Sequence, residues 1–190
     1  MTDALSKALR DGAKNELPEP ETSVAPSSTA RSRLLGAIDL GGRFDRFDAI
    51  TAELLDIPAS RAKGLLDRID TEGVFTEELP GVDFFWLPGG PKAQGAIRGF
   101  VRVKAEAQLP EHEHLGQEEV LVMQGVYIDS RTGERFPPGS RISGGQGTTH
   151  EFHPDSAAVD LLMLIVVHGG YRIGEMHFAP RDVPDFDLDD

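Results

Sequence analysis

The sequence predicts a mainly β fold, an antiparallel sandwich or barrel, preceded by a short helical hairpin. From about residue 80 to residue 180, short runs of β-branched and aromatic residues alternate with turns rich in Gly and Pro. Before them, residues 31–79 carry apolar side chains at helical spacing, broken by Pro58. The two patterns differ in period and therefore indicate two kinds of secondary structure in one chain.

Composition and charge limit the class of protein. The 190 residues are enough for one domain with appendages, and the absence of cysteine excludes disulfides and a thiolate metal site. The net charge of −13 opposes direct binding to nucleic acid or to an anionic membrane surface. The sequence has neither an apolar run long enough to cross a bilayer nor a secretion signal, so we expect a cytoplasmic protein.

The N-terminal part divides into two segments. Residues 1–30 are rich in Pro, Ser, Thr and Glu and are predicted to be disordered. Residues 31–79 are predicted to form the helical hairpin, with a first helix over Asp45–Leu55 and a second beginning at Pro58. The apolar faces of these helices need cover, from the following domain or from a partner. Together with the aromatic strand Val82–Leu87, they lead us to predict a homodimer.

The predicted barrel occupies residues 80–180, and residues 181–190 form a predicted acidic tail. Gly- and Pro-rich turns separate the strands of the barrel. The predicted strands are Val82–Leu87, Gln94–Lys104, Glu119–Asp129, His150–His153, Val159–His168 and Tyr171–His177.

Metal-ligating residue types cluster ahead of the third predicted strand. His112 and His114 are two residues apart, so in an extended segment both side chains point to the same side. Glu118 follows after a turn that Gly116 permits. Two imidazoles and a carboxylate directed at one point predict a site for a divalent transition metal, Zn or else Fe, Mn or Ni.

The fourth ligand is expected from a later strand, where His150 and His153 are the candidates. They are three residues apart and therefore face opposite sides of a regular strand. His150 shares its side with Phe152, a suitable wall for an apolar pocket, and we assign it to the site. Glu119 faces away from Glu118 by the same alternation.

The alternation also predicts the walls of a pocket beside the metal. The guanidinium groups of Arg98 and Arg102, on the same face of their strand as Phe100, are interpreted as solvated. With no basic side chain placed inside, the pocket is predicted to take a small apolar ligand. The predicted pocket residues are Val120, Val122, Phe152 and Phe100.

The spacing of the candidate ligands matches two known motifs. The run His112-x-His114-x3-Glu118-x6-Gly125 resembles the first motif of the cupin superfamily, and Gly139-x5-Gly145-x-Gly147-x2-His150 resembles the second. The resemblance covers residues 80–180 and implies a double-stranded β-barrel of the cupin or jelly-roll type. It also implies a metal held by His112, His114, Glu118 and His150.

Four segments indicate a narrower family within the cupins: Leu87-Pro-Gly-Gly-Pro91, Gly99-Phe-Val-Arg102, His112-Glu-His-Leu-Gly116 and Glu119-Val-Leu-Val-Met-Gln-Gly125. They resemble the cupin half of ChrR-type anti-sigma factors. The resemblance implies a sigma factor or another regulatory protein as partner. It also implies that the cupin half responds to an oxidative signal. The family's N-terminal zinc site uses His and Cys, whereas here no His or Cys precedes His112.

Two functions follow from these patterns. The first is a regulatory or sensory module similar to ChrR-type transcription regulators. The alternative is a metal-dependent dioxygenase or isomerase acting on a small molecule, for which no catalytic residue is assigned. A metal-free binding barrel is the third interpretation.

Overall fold

The computed structural model describes residues 42–155 and 158–184. The predicted disordered segment, residues 1–30, and most of the predicted acidic tail lie outside the described residues. The described residues form two antiparallel sheets, with short helices packed on the outer face of one of them. The predicted mainly β fold with a helical segment before it is confirmed.

Two short helices precede the strands. A 3-10 turn at Asp45–Phe47 leads into α1 (Asp48–Leu55), and α2 spans Ala59–Asp67. Asp56 ends α1 in the left-handed conformation, with φ of 55°, and Pro58 occupies the N-cap of α2. In the described part of the chain, no helix has the length and hydropathy needed to span a bilayer.

The described residues contain twelve strands in two sheets of six. The strands are β1 (Thr76–Leu79), β2 (Val82–Trp86), β3 (Ala96–Val103), β4 (Leu109–His114), β5 (Glu118–Gln124), β6 (Tyr127–Asp129), β7 (Arg135–Phe136), β8 (Arg141–Gly144), β9 (Thr149–Pro154), β10 (Leu161–His168), β11 (Tyr171–Ile173) and β12 (Met176–Phe178). The first sheet has the order β1-β2-β3-β10-β5-β8 and the second the order β12-β11-β4-β9-β6-β7. From β3 onward most connections cross from one sheet to the other, which brings residues near in sequence onto facing sheets.

The structure differs from the predicted elements at short polar segments. β1 lies inside the segment 31–79 that was expected to be helical. Gly125, with φ of 73°, separates β5 from β6, so the predicted strand Glu119–Asp129 is two strands. The predicted strand Tyr171–His177 is also two, because the chain turns between β11 and β12.

The described residues have two apolar cores. One lies between the sheets and includes Val101, Phe152 and Met163. The other lies between the first sheet and the helices, where Leu65 of α2 belongs to the same cluster as Leu121 of β5. The apolar faces of the helices are therefore covered within the chain. This cover removes one of the two reasons for which a homodimer was expected, and the homodimer itself stays a prediction.

Strand β3 is buried on both faces except at the half-buried Arg102, and this corrects the assignments of Phe100 and Arg98. Phe100 is fully buried in the core beneath the helices, so its assignment to the pocket is wrong. Arg98 is buried on the same face and donates to the carbonyl of Ala93 at 2.6 Å, while Arg102 lies 4.0 Å from the ring centre of Phe75. Alternation identifies residues that share a face, but it does not identify which face points inward.

The loop between β2 and β3 holds α1 on the sheet. Gly90 N–H donates to the carbonyl of Leu55 at 2.8 Å, and Lys92 N–H donates to the carboxylate of Asp56 at 2.9 Å. A Cβ added to Gly90 would lie 2.0 Å from the carbonyl oxygen of Asp56, so only glycine fits there. The Pro-Gly-Gly-Pro run is therefore a docking point for the end of α1.

The start of the predicted acidic tail is anchored to the first sheet. Arg181 donates to both carboxylate oxygens of Glu78 at 2.9 Å, and its guanidinium lies 4.3 Å from the ring centre of Trp86. Glu78 also accepts from the indole N–H of Trp86 at 2.9 Å. The predicted tail therefore begins at an exposed residue whose side chain is paired with Glu78.

Candidate metal centre

Strands β4 and β9 bring three histidines together. His112 and His114 are both buried on β4, as their spacing predicts. His150 on β9 is the direct cross-strand partner of His112. The side chain of His150 is 15% exposed, against 2% for His114, so His150 lies at the outer edge of the cluster.

Glu118 reaches the same point from the first sheet. It is the first residue of β5 and is 5% exposed. The turn from β4 to β5 passes so close to β10 that a Cβ on Gly116 would lie 2.3 Å from the carbonyl oxygen of His168. Glycine at this position therefore lets the turn place Glu118 against the histidines.

The ligand atoms of these four residues converge. His150 Nε2 lies 2.8 Å from His112 Nε2 and 3.0 Å from His114 Nε2. Glu118 Oε2 lies 3.1 Å from His114 Nε2 and 3.6 Å from His150 Nε2. Ligands of one metal at bond lengths of about 2.0–2.2 Å are roughly 2.8–3.6 Å apart for right-angled to tetrahedral geometry, so these four pairs have a suitable spacing. All four ligand atoms lie within 4.8 Å of one another.

Hydrogen bonds outside the cluster orient two of the rings. His112 Nδ1 donates to the carbonyl of Pro110 at 3.1 Å, since a carbonyl can only accept. The hydroxyl of Thr148 donates to the carbonyl of Gly145 at 2.7 Å and therefore accepts from His114 Nδ1 at 3.2 Å. In the neutral rings of His112 and His114, the Nε2 lone pairs consequently point into the cluster.

Acceptors outnumber donors inside the cluster. Glu118 Oε2 is buried without a hydrogen-bond partner. With the Nε2 atoms of His112 and His114 it makes three converging acceptors, toward which neutral His150 can direct at most one N–H. Burying acceptors without donors is unfavourable. A divalent cation would satisfy all of them, so three imidazoles and one carboxylate fit a transition metal.

The protonation states of the clustered side chains also suit metal binding. Burial lowers the pKa of His112 to about 4, and the neighbouring His150 adds to this effect. Burial also lowers the pKa of His150. Burial alone would raise the pKa of Glu118, whereas a proton on a neighbouring histidine, His114 first, would lower it. At neutral pH, His112 and His150 are therefore neutral, which is the form of imidazole that binds metal.

Two residues that alternation excludes from the site lie outside the cluster. Glu119 accepts from the hydroxyl of Ser143 at 2.9 Å and lies 3.5 Å from Arg141. His153 Nδ1 lies 3.0 Å from the hydroxyl of Ser130. The choice of His150 over His153 agrees with the position of the ligand cluster.

A small cavity of about 20 Å³ adjoins the cluster on its inner side. It has room for about one water molecule. Of the predicted pocket residues, Val120 and Phe152 line it, and Val122 belongs to the surrounding core. Its walls near His112 and Glu118 are otherwise Phe84, Val101, Leu109, Met163, Ile165 and Tyr171.

A larger pocket of about 350 Å³ reaches the cluster from the outside. His114, Glu118 and His150 form part of its wall, so a small molecule in it would lie against the ligand atoms. Within the described residues, this wall contains no Lys or Arg. Its other polar side chains are Tyr127, Asp129, Glu134, Ser143, Thr148 and Thr149.

Sequence analysis does not identify three residues that support the cluster. The hydroxyl of Tyr127 lies 2.9 Å from His150 Nδ1, and Thr148 accepts from His114. Gly144 lies so close to His114 that a Cβ on it would be 2.4 Å from Nδ1. The pairing of β5 with β8 places Gly144 opposite Glu118. A prediction of this pairing from sequence would have indicated that Gly144 lies beside the cluster.

Comparison with known proteins identifies the family. Residues 70–172 match the model of the ChrR cupin-like domain family, which is more than half of the 190-residue chain. The chain belongs to this family. The ChrR cupin-like domain therefore includes β1 to β10 and the four clustered residues. No curated protein sequence matches the chain.

Several solved structures are similar to this ChrR cupin-like chain over part of its length. The structure of Rhodobacter sphaeroides SigE in complex with the anti-sigma ChrR aligns over 87% of this chain and 75% of that chain, with 21% identity and a TM-score of 0.49. An acetylacetone dioxygenase from Acinetobacter johnsonii aligns over 57% of this chain and 81% of that chain, with 12% identity and a TM-score of 0.49.

A protein of unknown function with a cupin-like fold from Ralstonia eutropha aligns over 52% of this chain, with 17% identity and a TM-score of 0.44. The alignment spans 64% of that protein and 61% of a second Ralstonia eutropha cupin, less than two thirds of either.

Proposed function

We propose that this protein is a metal-binding cupin that acts as a regulatory or sensory module of the ChrR type. The observation that carries the proposal is the convergence of His112, His114, Glu118 and His150 with more acceptors than donors. Membership of the ChrR cupin-like domain family supports the regulatory part. The small inner cavity supports it too, because about 20 Å³ leaves no room for an organic substrate inside the barrel.

The metal, when bound, supplies a fixed positive charge at the junction of the two sheets. Glu118 is the single anionic member of the set, so a divalent ion keeps a net charge of about +1 there. His112 and His150 come from the second sheet and Glu118 from the first. Their joint binding of one ion would tie the sheets together, and loss of the ion would free them. This dependence of barrel stability on the metal is the physical basis of the proposed signal.

Metal titration tests the binding part of the proposal. Isothermal calorimetry with zinc is expected to give one site per chain, with Fe(II), Mn(II) and Ni(II) as comparison ions. Replacing His150 by Ala should remove or strongly weaken the site, whereas His153→Ala, three residues away on the same strand, should not. Equal binding by the two variants, or no binding by the native chain, would contradict it.

The proposed partner is a sigma factor or another regulatory protein. The support is family membership and the sigma factor present in the ChrR complex named above. Affinity capture from the native cell, with and without a chelator, tests it. Recovery of a sigma factor or regulator that depends on metal is expected, and capture of neither would contradict the partner. The homodimer and the cytoplasmic location stay predictions, checked by light scattering and by cell fractionation.

The alternative function is a metal-dependent dioxygenase or isomerase. The pocket of about 350 Å³ favours it, since a small molecule there would lie against His114, Glu118 and His150. Its polar wall favours a hydrogen-bonding substrate over the small apolar ligand expected from sequence. Oxygen uptake by the Fe(II)-loaded chain with diketones, thiols or phenolics would support the dioxygenase. No uptake, together with no change in a panel of sugars, would exclude this class for those substrates.

A further inference from the structure

The three histidines differ in what holds the ring nitrogen that faces away from the cluster. The Nδ1 atoms of His112 and His114 lie next to groups that can only accept a hydrogen bond from them. For His112 this group is the carbonyl of Pro110, and for His114 it is the hydroxyl of Thr148, whose own hydrogen is donated to Gly145. His150 Nδ1 instead meets the hydroxyl of Tyr127 at 2.9 Å. A phenol can either donate or accept, so His150 is the one ring whose proton position is left free.

Tyr127 is held firmly enough to act as a fixed partner. It is fully buried, its ring stacks on Phe152 with centres 4.4 Å apart, and it meets the edge of Phe136 at 5.6 Å. Among the described residues, its hydroxyl has one hydrogen-bond partner, His150 Nδ1. The side chain can therefore rotate its O–H bond while its oxygen stays in place.

We propose that Tyr127 is the positioning residue that sets the tautomer of His150 and so completes the metal site. This inference rests on the metal binding proposed above. In the metal-free state, Tyr127 donates to Nδ1, and His150 Nε2–H donates to His112 Nε2 across 2.8 Å. In the metal-bound state, Nε2 is a ligand and Nδ1–H donates to the tyrosine oxygen. The ring carries one proton in both states, and only the position of that proton changes.

The exchange needs no movement of heavy atoms, because the phenol oxygen is already at hydrogen-bonding distance in the metal-free arrangement. Removing the hydroxyl leaves the buried Nδ1–H of the metal-bound ring without an acceptor. Outer partners of ligating histidines typically change metal affinity by about 10- to 100-fold. Tyr127→Phe should therefore weaken metal binding by about that factor.

The chain offers a matched control in its second tyrosine. Tyr171 is also buried, and its ring lies 5.5 Å from that of His112, but its hydroxyl makes no hydrogen bond to any of the four clustered residues. Tyr171→Phe removes the same atom from the other side of the cluster. It is expected to change metal affinity by less than about threefold.

The experiment is a cobalt(II) titration of the full chain, followed by its visible spectrum. Tyr127→Phe is expected to weaken binding by about 10- to 100-fold and to shift the spectrum, whereas Tyr171→Phe leaves both unchanged. In a His150→Ala background, Tyr127→Phe is expected to add no further loss. Equal effects of the two tyrosine changes, or a full additional loss without His150, would overturn the inference.

A second measurement on the native chain does not depend on the variants folding. Nitrogen-15 NMR of the imidazoles is expected to show His150 protonated at Nε2 without metal and at Nδ1 with zinc. An unchanged tautomer would overturn the inference and leave the metal site standing. A native chain that binds no metal would overturn the proposed function as well, so the two failures are distinguishable.

Discussion

Replacing Gly144 by Ala should disturb the metal site through a single contact with His114. A Cβ at this position would lie 2.4 Å from His114 Nδ1 and 2.5 Å from Cε1. Ordinary contacts between such atoms are about 3.5 Å, so the ring would have to retreat by roughly 1 Å. Overpacking of this size typically costs about 1–3 kcal/mol.

His114 has little freedom to retreat. Its N–H donates to the carbonyl of Thr148 at 3.0 Å, and its carbonyl accepts from Gly147 N–H at 2.8 Å. The ring would therefore move relative to a fixed backbone. This movement would lengthen the hydrogen bond from His114 Nδ1 to the hydroxyl of Thr148 and displace His114 Nε2 from the cluster. We expect metal affinity to fall by about 10- to 100-fold, as for loss of an outer hydrogen bond.

The neighbouring glycine provides the control for this change. A Cβ on Gly145 would meet nothing within 4 Å, and its φ does not require glycine. Zinc affinity, measured by competition with a chromophoric chelator, should fall for Gly144→Ala and stay within about twofold for Gly145→Ala. Equal affinities of the two variants would refute the claim that His114 is held against β8.

Further predictions concern charge, metal removal, the placement of Phe100 and pH. Glu118→Gln should lower zinc affinity by about 100-fold or more in calorimetric titration, because it removes the single anionic ligand at nearly constant size; unchanged affinity would exclude Glu118 as a ligand. Chelation should lower the melting temperature, since metal at 100 times its dissociation constant contributes about 2.7 kcal/mol; a metal-independent Tm would contradict this. Phe100→Leu should cost about 1–2 kcal/mol in urea unfolding with zinc affinity unchanged, whereas Phe152→Leu, beside His112, should change both. In the metal-free chain, the folded pKa of His112 is about 4 and its usual value 6.5. The unfolded state therefore binds more protons between these values, and the free energy of unfolding should fall as pH falls through this window. His112→Gln should flatten that slope, and an equal slope in both chains would contradict the pKa shift.

The members of the four-residue cluster could be predicted from sequence because their positions depend on local spacing. His112 and His114 lie on one regular strand, where two-residue spacing fixes a common side. His150 and His153 lie on another, where three-residue spacing separates them. Alternation within a strand therefore separated His150, which lies in the cluster, from His153, which lies outside it, before any tertiary structure was considered.

The errors arose where alternation gives no absolute direction. On β3 both faces are buried, so the pattern that groups Arg98 with Phe100 does not identify which core they enter. Tyr127 was missed for a related reason. The positive φ of Gly125 interrupts the strand, and alternation counted from Glu118 does not continue past it. The core that Phe100 enters and the position of Tyr127 beside His150 both depend on packing between segments far apart in the chain. Alternation within one strand does not report such packing.

Anomalous diffraction from crystals of the full chain loaded with one equivalent of zinc tests the central claim most directly. We predict one anomalous peak per chain, bonded at about 2.0–2.2 Å to Nε2 of His112, His114 and His150 and to a carboxylate oxygen of Glu118. A peak bound elsewhere, or no peak among these four side chains, would contradict the claim that this cupin is built around a metal.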